Sequence, residues 1–167
     1  RCRLVGSEMC IRDRVRMMIK KKLRSIIFAI CWLSLPSFAA ITELQPLTFG
    51  EFALGPNDAE STLRVPYDGS KPRASYKLFP ITLGQPGSFQ LSAYPAWTFL
   101  MITIMDFDLT SGASQPLHVE DFTFPTIQTD ADGNAVLPIG ATLKTTGAGG
   151  SYGDGNYTGT MNITISW

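Results

Sequence analysis

The residues that could carry out chemistry are few, and most of them are acidic. His118 is the only histidine in the chain, so a metal site built on several histidines is excluded. Its place between Leu117 and Val119 predicts a side chain on the exposed face of a strand. Asp106 and Asp108 would share a strand face, and a carboxylate pair can hydrolyse a glycoside. Solvated acidic strand ends are far commoner, so neither catalytic residues nor enzyme activity is predicted.

A second candidate is a short loop rich in oxygen ligands. Asp130-Ala-Asp132-Gly-Asn134 resembles the start of a calcium-binding loop, because closely spaced carboxylate and amide oxygens suit a hard cation. The glutamate that completes such a loop would stand at position 141, which is alanine. A hairpin-type turn explains the same residues well. Asp130, Asp132 and Asn134 remain a candidate metal site, and no cofactor is predicted.

Aromatic side chains near predicted turns offer a different kind of site. Tyr94, Trp97, Tyr152 and Tyr157 could stack against a sugar ring or another flat ligand. They support one alternative function, a secreted module that binds a glycan or another ligand on its loops.

The first 39 residues are expected to stand apart from the fold. Residues 1–16 are basic and unpatterned, and part of them resembles translated adapter sequence. They are predicted to be a non-native extension, with a disordered basic segment as the alternative. Residues 17–39 match a secretory signal peptide, with a basic start, a helical apolar core and cleavage after Ala39. The apolar run of residues 26–35 is too short for a membrane anchor, which needs about 20 residues.

Loss of the leader changes both charge and cysteine content. Residues 40–167 contain five basic and twelve acidic side chains, a formal net charge of −7. Binding to nucleic acid requires clustered cations, so no nucleic-acid partner is predicted. All three cysteines precede residue 40, so this part depends on packing and backbone pairing. Contact with a membrane is predicted only through the signal peptide during export.

Residues 40–167 show the period-two pattern of β-strands. In Asn156–Trp167 every odd position is apolar or glycine and every even position is polar, which predicts a terminal strand with one buried face. Thr98–Met105 is apolar on both faces, so it is predicted to be central or covered on its second side. The pattern slips at Gly50 and again at Glu120-Asp121, and a β-bulge is predicted at each.

Seven or eight short strands with turns between them predict a single all-β sandwich over residues 40–167. Four segments also carry a resemblance to known proteins: Leu47–Gly50, Ile81–Phe89, Asp132–Leu143 and Gly155–Trp167. Together they resemble the DUF4402 family of bacterial secreted domains of unknown function. The last segment resembles the endings of spore-coat-U-like and other pilin-like domains. The resemblance implies an immunoglobulin-like, pilin-like antiparallel sandwich exported by a Gram-negative cell, without known enzyme activity.

The predicted function is therefore that of a structural or interaction protein in the periplasm or on the outer cell surface, such as a fimbrial subunit. Short strands leave edges to which another chain can add a strand, and Ala40–Phe49 is the candidate donor. The expected partners are other protein subunits or a periplasmic chaperone. A secreted hydrolase is the least favoured alternative. The candidate interaction residues are Phe99, Met101, Ile104 and Trp167.

Overall fold

The computed structural model describes residues 38–112 and 114–167, and every regular element in them is a β-strand. The all-β prediction is confirmed for this part of the chain. The predicted extension and nearly all of the predicted signal peptide, with its helix, lie outside the described residues. Within the described ranges no helix is long and apolar enough to cross a membrane.

Twelve strands form in this part of the chain, so the prediction of seven or eight was too low. Several predicted strands are divided by turns or glycines into shorter ones with different partners. The strands are β1 (Ala40–Gln45), β2 (Phe52–Leu54), β3 (Thr62–Val65), β4 (Arg73–Ala74), β5 (Leu78–Pro80), β6 (Gly87–Ser92), β7 (Phe99–Ile104), β8 (Phe107–Leu109), β9 (Leu117–Thr123), β10 (Ile127–Gln128), β11 (Ala135–Lys144) and β12 (Ile163–Ser166).

The strands pair antiparallel in three sheets. The largest follows the order β1-β6-β11-β3-β4, and β9 pairs with both β11 and β8. A three-stranded sheet has the order β10-β7-β12, and β2 and β5 form a two-stranded sheet. The long strand β11 joins the parts, because its first half pairs with β6 and its second half with β3 and β9.

Gly140 lies where β11 passes from one set of partners to the next. A Cβ atom at this position would overlap backbone atoms of Val65 and Tyr67. Glycine therefore permits the close approach on which the second half of the sheet depends. On either side of it Leu137, Ile139, Ala141 and Leu143 are buried, as the alternating sequence predicts.

Two groups of buried side chains form the core. One lies around β3, β9 and β11, with Leu63, Val119 and Leu143 fully buried. The other lies between the large sheet and the three-stranded sheet, where Leu91 and Leu137 pack in one cluster with Leu100 and Ile127. This packing of two sheets gives a β-sandwich-like arrangement. Each fully buried leucine stabilises the fold by about 1.5–3 kcal/mol relative to an exposed one.

The bulge predicted at Glu120-Asp121 is confirmed. Thr142 pairs with Glu120 and Gly140 with Thr123, so β9 has one residue more than β11 over this stretch. Asp121 has a φ of 51°, a left-handed conformation that occurs in one type of β-bulge. The extra residue brings Phe122 round to pack against both clusters.

The break predicted at Gly50 is confirmed, but its form is different. Gly50 has a φ of 72°. The chain here is not one bulged strand, because β1 ends at Gln45 and β2 begins at Phe52. Between them, Thr48 makes a single bridge to Gln85.

The turn predicted at Asp130–Asn134 is present, but it is not a hairpin within one sheet. It connects β10 of the three-stranded sheet to β11 of the large sheet. The backbone N–H of Asp130 donates to the Asn134 carbonyl oxygen at 2.9 Å and closes the turn. Turn composition predicted the local geometry, whereas the partners of the flanking strands depend on packing between sheets.

The alternation of the terminal strand is confirmed up to Ile165 but not at Trp167, which is exposed, and the strand is shorter than predicted. Tyr157, Met161, Ile163 and Ile165 are half-buried, while the polar positions between them are exposed. The ladder to β7 covers only Ile163–Ser166. The residues before it, apart from a bridge at position 158, have no strand partner in the described part of the chain.

Candidate functional site: an open groove

A groove of about 1120 Å³ lies between two segments that are distant in sequence. We call residues 46–54 the N-terminal rim and residues 152–161 the C-terminal rim. Glu43 lies at one end, and Phe89, Phe107 and Leu109 contribute to the floor. The groove is therefore bounded by the start of the domain and by the stretch that leads into β12.

The floor of the groove is a half-covered part of the core. Leu47, Phe52 and Leu54 of the N-terminal rim are partly buried against the first core cluster, and so are Tyr152 and Tyr157 of the C-terminal rim. Their side chains pack inward against this cluster, but no further layer covers them within the described residues. The floor consequently presents apolar side chains to whatever enters the groove.

The backbone of the C-terminal rim is largely without ladder partners, whereas the N-terminal rim is paired in part. In the N-terminal rim, Thr48 exchanges hydrogen bonds with Gln85, and Phe52–Leu54 pairs with β5. In the C-terminal rim, the only ladder contact among described residues is the pair of bonds between Thr158 and Thr110. Backbone N–H and carbonyl groups require partners when they are covered. An entering chain would thus meet donors and acceptors along both sides.

The charged side chains that line the groove are all carboxylates. Glu43, Glu51 and Asp154 line it, and no lysine or arginine is among its described lining residues. These groups disfavour an acidic occupant by like-charge repulsion and tolerate a neutral or basic one.

The candidate interaction residues do not form one surface. Phe99 and Met101 are exposed on the outer face of β7, which is the central strand of its sheet, as predicted. Ile104 instead pairs with Ile163 and packs against the second core cluster. Trp167 lies apart, with 64% of its surface exposed and its ring edge-to-face with Tyr94 at 5.2 Å.

In the candidate calcium loop, the side chain of the first candidate ligand, Asp130, is hydrogen-bonded to the backbone of the loop itself. Asp130 Oδ1 accepts hydrogen bonds from the backbone N–H groups of Asp132 and Asn134, at 2.9 and 2.8 Å. This is the bonding of an Asx-type turn, and it accounts for the Asp-x-Asp-Gly-Asn sequence without an ion. In the described part of the chain no three His, Cys, Asp or Glu side chains converge as a metal site.

His118 and Asp108 meet on the exposed face of β8 and β9. His118 Nδ1 lies 2.8 Å from Asp108 Oδ1, and its Nε2 lies 3.6 Å from Glu120. Glu120 also binds Lys144, and this hydrogen bond raises the pKa of the Lys144 ammonium. Asp106 is also exposed. The sequence expected exposed acidic side chains here, and the structure adds their pairing with His118 and Lys144.

The four aromatic residues considered for ligand stacking are not available together. Tyr94 is buried, and burial raises the pKa of its hydroxyl. The Tyr152 hydroxyl accepts from Thr146 N–H at 2.9 Å, and the Tyr157 hydroxyl donates to the Gly153 carbonyl oxygen at 3.0 Å. Trp97 remains, exposed at the start of β7.

Sequence reasoning missed one motif and the groove itself. Gly149-Gly-Ser-Tyr-Gly153 fits the Gly-x-Ser-x-Gly pattern of hydrolases, but Ser151 lies in a loop without the strand before it and helix after it that the nucleophile elbow requires. The groove is only weakly indicated by the sequence. Its apolar floor follows from alternation in both rims, but the absence of a strand between them is visible only in three dimensions.

A family model described as "Domain of unknown function (DUF4402)" matches residues 40–167. The resemblance drawn from the sequence is confirmed over this range. No curated protein and no solved structure matches the chain.

Proposed function

The chain belongs to the DUF4402 family, whose function is unknown, and we propose that it is an exported, non-enzymatic structural protein that binds other protein chains by strand addition. It would act in the periplasm or on the outer surface of a Gram-negative cell as a pilin-like subunit. The immunoglobulin-like form of the sandwich belongs to the same proposal.

The open groove is the observation that supports this function. Its floor is apolar, and both of its rims carry backbone groups without ladder partners among the described residues. A strand inserted between the rims would bond to both of them and would cover the floor with its alternate side chains. A small-molecule ligand could cover the apolar floor, but it would not supply hydrogen-bond partners to the backbone groups of both rims.

The N-terminal strand of a second copy is the occupant that fits best. Five of the six residues of β1 are exposed, and its ladder partner is β6 alone. If β1 separated from β6, little apolar surface would become exposed. The predicted donor Ala40–Phe49 is shortened by the structure, because Leu47 and Phe49 belong to the molecule's own groove and core. The free part is Ala40–Gln45.

The distribution of charge along β1 agrees with its role as the donated strand, provided that β1 pairs without its present bulge. In the present pairing with β6 the register shifts between Glu43 and Gln45. In a regular strand, Ala40, Thr42 and Leu44 would form one uncharged face. That face suits the apolar floor, and Glu43 would then point away from the carboxylates of the groove.

Sedimentation of the chain beginning at Ala40 tests the proposal, since residues 38–167 form a compact unit by themselves. Concentration-dependent assemblies are expected. A version without residues 40–45 should remain folded and monomeric. Leu44→Ser should weaken assembly by roughly tenfold, because it removes a buried apolar contact. Ile41→Ser, on the other face of the donated strand and outside the groove lining, is the matched control and should assemble normally.

A wild-type protein that stays monomeric at every concentration would exclude strand donation between copies. Assembly that persists without residues 40–45 would place the contact elsewhere. Both substituted side chains are exposed in the monomer, so their effect on folding should be small. Thermal unfolding of each variant verifies this.

A further inference from the structure

The basic residues of the domain are concentrated in one segment. Of the five in residues 40–167, four lie between Arg64 and Lys77. Lys77 binds Asp58 at 2.7 Å, and Lys144 binds Glu60 and Glu120. Arg64, Lys71 and Arg73 form no ion pair with any carboxylate in residues 38–112 and 114–167. The cations that remain without a partner there all lie on the β3–β4 hairpin, residues 62–74, which we call the basic hairpin.

Two of these cations are direct neighbours across the ladder. Arg64 of β3 is paired in register with Arg73 of β4, and both are exposed. The residues on either side of Arg64 are buried, so its side chain lies on the outer face of the sheet. Like charges directly opposite each other in a sheet repel. An anion with several oxygens would relieve this repulsion, because each guanidinium binds phosphate or carboxylate through paired N–H groups.

Large apolar side chains are exposed on the segment that follows the basic hairpin in the sequence. β5 contacts β4, and the segment 76–83 around it, which we call the apolar ridge, carries Tyr76, Phe79, Ile81 and Leu83 on the surface. Phe79, Ile81 and Leu83 expose 57%, 69% and 55% of their surface. The ridge is held in place, since the N–H groups of Ile81 and Thr82 both donate to the Glu51 carbonyl oxygen.

We propose that the basic hairpin and the apolar ridge together form a docking surface for an anionic lipid bilayer. The guanidinium and ammonium groups would contact headgroup phosphates, and the ridge would insert its apolar side chains between the headgroups. An acidic polysaccharide would also bind the cations, but it would have no use for Ile81 and Leu83. The apolar ridge therefore favours the lipid surface. The inference does not depend on strand addition through the groove.

This inference changes the expectation that the chain meets a membrane only during export. The net charge of −7 averages over the whole surface and does not show such a local cluster of cations. The carboxylates are spread over the molecule, whereas the three cations without partners are gathered on one hairpin. The one carboxylate within the hairpin, Asp68, accepts a hydrogen bond from Ser70 N–H at 2.9 Å; this bond and, to a smaller extent, the charge of Arg64 lower its pKa, so Asp68 offsets part of the hairpin's positive charge. Local charge can thus orient an acidic protein towards an acidic membrane.

Vesicle co-sedimentation of the chain beginning at Ala40, which lacks the basic leader, tests the docking surface. Binding is expected to phosphatidylglycerol vesicles and not to pure phosphatidylcholine vesicles, and it should weaken at high salt. Arg64→Gln with Arg73→Gln should weaken it by roughly tenfold or more. Gln128→Glu with Thr164→Glu changes the net charge equally on another face and should leave binding intact.

The apolar contribution has its own matched pair of variants. Ile81→Ser with Leu83→Ser should weaken vesicle binding, whereas Met101→Ser, exposed on the outer face of β7, should not. Equal binding to both vesicle types, no binding to either, or unchanged binding by the double arginine variant would overturn the proposal. Retention on polygalacturonate without vesicle binding would also overturn it, because the partner would then be an acidic polysaccharide.

Discussion

At the scale of single residues, stability depends on side chains that are completely enclosed. Leu137 and Ile139 of β11 have no exposed surface, and both pack between the two sheets. Val136, which directly precedes Leu137 in the sequence, has half of its surface in solvent. Adjacent positions of one strand therefore make very different contributions to the free energy of unfolding.

Leu137→Ala should lower the free energy of unfolding by about 2–5 kcal/mol, because it removes buried methyl groups and leaves a cavity. Val136→Ala is the control and should change it by about 0.5 kcal/mol or less. Urea denaturation of both variants measures the difference. Equal losses would mean that β11 does not pack as described.

A second residue-scale prediction concerns pH. The hydrogen bond to Lys77 lowers the pKa of the Asp58 carboxyl below its ordinary 3.8, and it raises the pKa of Lys77 above 10.5. The stabilisation by Asp58 is present above pH 3.8 and is lost as the pH falls through its lowered pKa. The stabilisation by Lys77 is present below pH 10.5 and is lost as the pH rises through its raised pKa.

Asp58→Asn should therefore be slightly less stable than the wild type at neutral pH, and the difference should vanish at strongly acidic and strongly alkaline pH. Both groups are exposed, so the effect should be small and should shrink in high salt. Denaturation midpoints measured across pH give the comparison. A difference that stays constant through the acidic range would show that the ion pair is not its source.

At the scale of elements, the bulge in β9 is the irregularity with the clearest cost. Asp121 has a φ of 51°, which aspartate and asparagine tolerate and β-branched residues do not. Asp121→Val should destabilise the domain by about 1–2 kcal/mol, and Asp121→Asn should be close to neutral. Thermal unfolding compares them. A valine variant as stable as the asparagine variant would contradict the left-handed conformation.

Periodicity predicted the elements better than it predicted their partners. The buried positions of β11, the bulge at Asp121 and the inward positions of β12 all follow from the spacing of apolar residues, because that spacing fixes which face each residue occupies. Pairing is different, since it depends on which segments meet in space. For this reason the turn at Asp130–Asn134 joins two sheets, and the predicted strand around Gly50 is divided in two.

The same distinction explains what could be predicted of the candidate site. The apolar residues of both rims are evident in the sequence, and Ala40–Phe49 emerged as a donor from its place at the start of the domain. An unfilled space between two strands has no sequence signature of its own. Ile104 was wrongly grouped with Phe99 and Met101, because a strand that is apolar on both faces does not show which face is covered.

At the scale of the whole molecule, two surfaces of opposite character serve two kinds of contact. The groove has an apolar floor, and its charged lining residues are carboxylates, so it suits an uncharged strand face. The basic hairpin carries the cations that lack described partners, and the segment that follows it exposes apolar side chains. A subunit that joins its neighbours through one surface and meets a lipid headgroup layer through the other would use both, and each surface is tested by its own variants.

Amide hydrogen exchange along the two rims tests the central claim most directly. The assembled wild-type chain should show slowed exchange both at Leu47, Phe49 and Gly50 and in residues 159–162, because an inserted strand would bond to each rim. The version without residues 40–45 should exchange quickly at both. Equal exchange in the two proteins at concentrations where the wild type assembles would contradict the claim that the groove receives a strand.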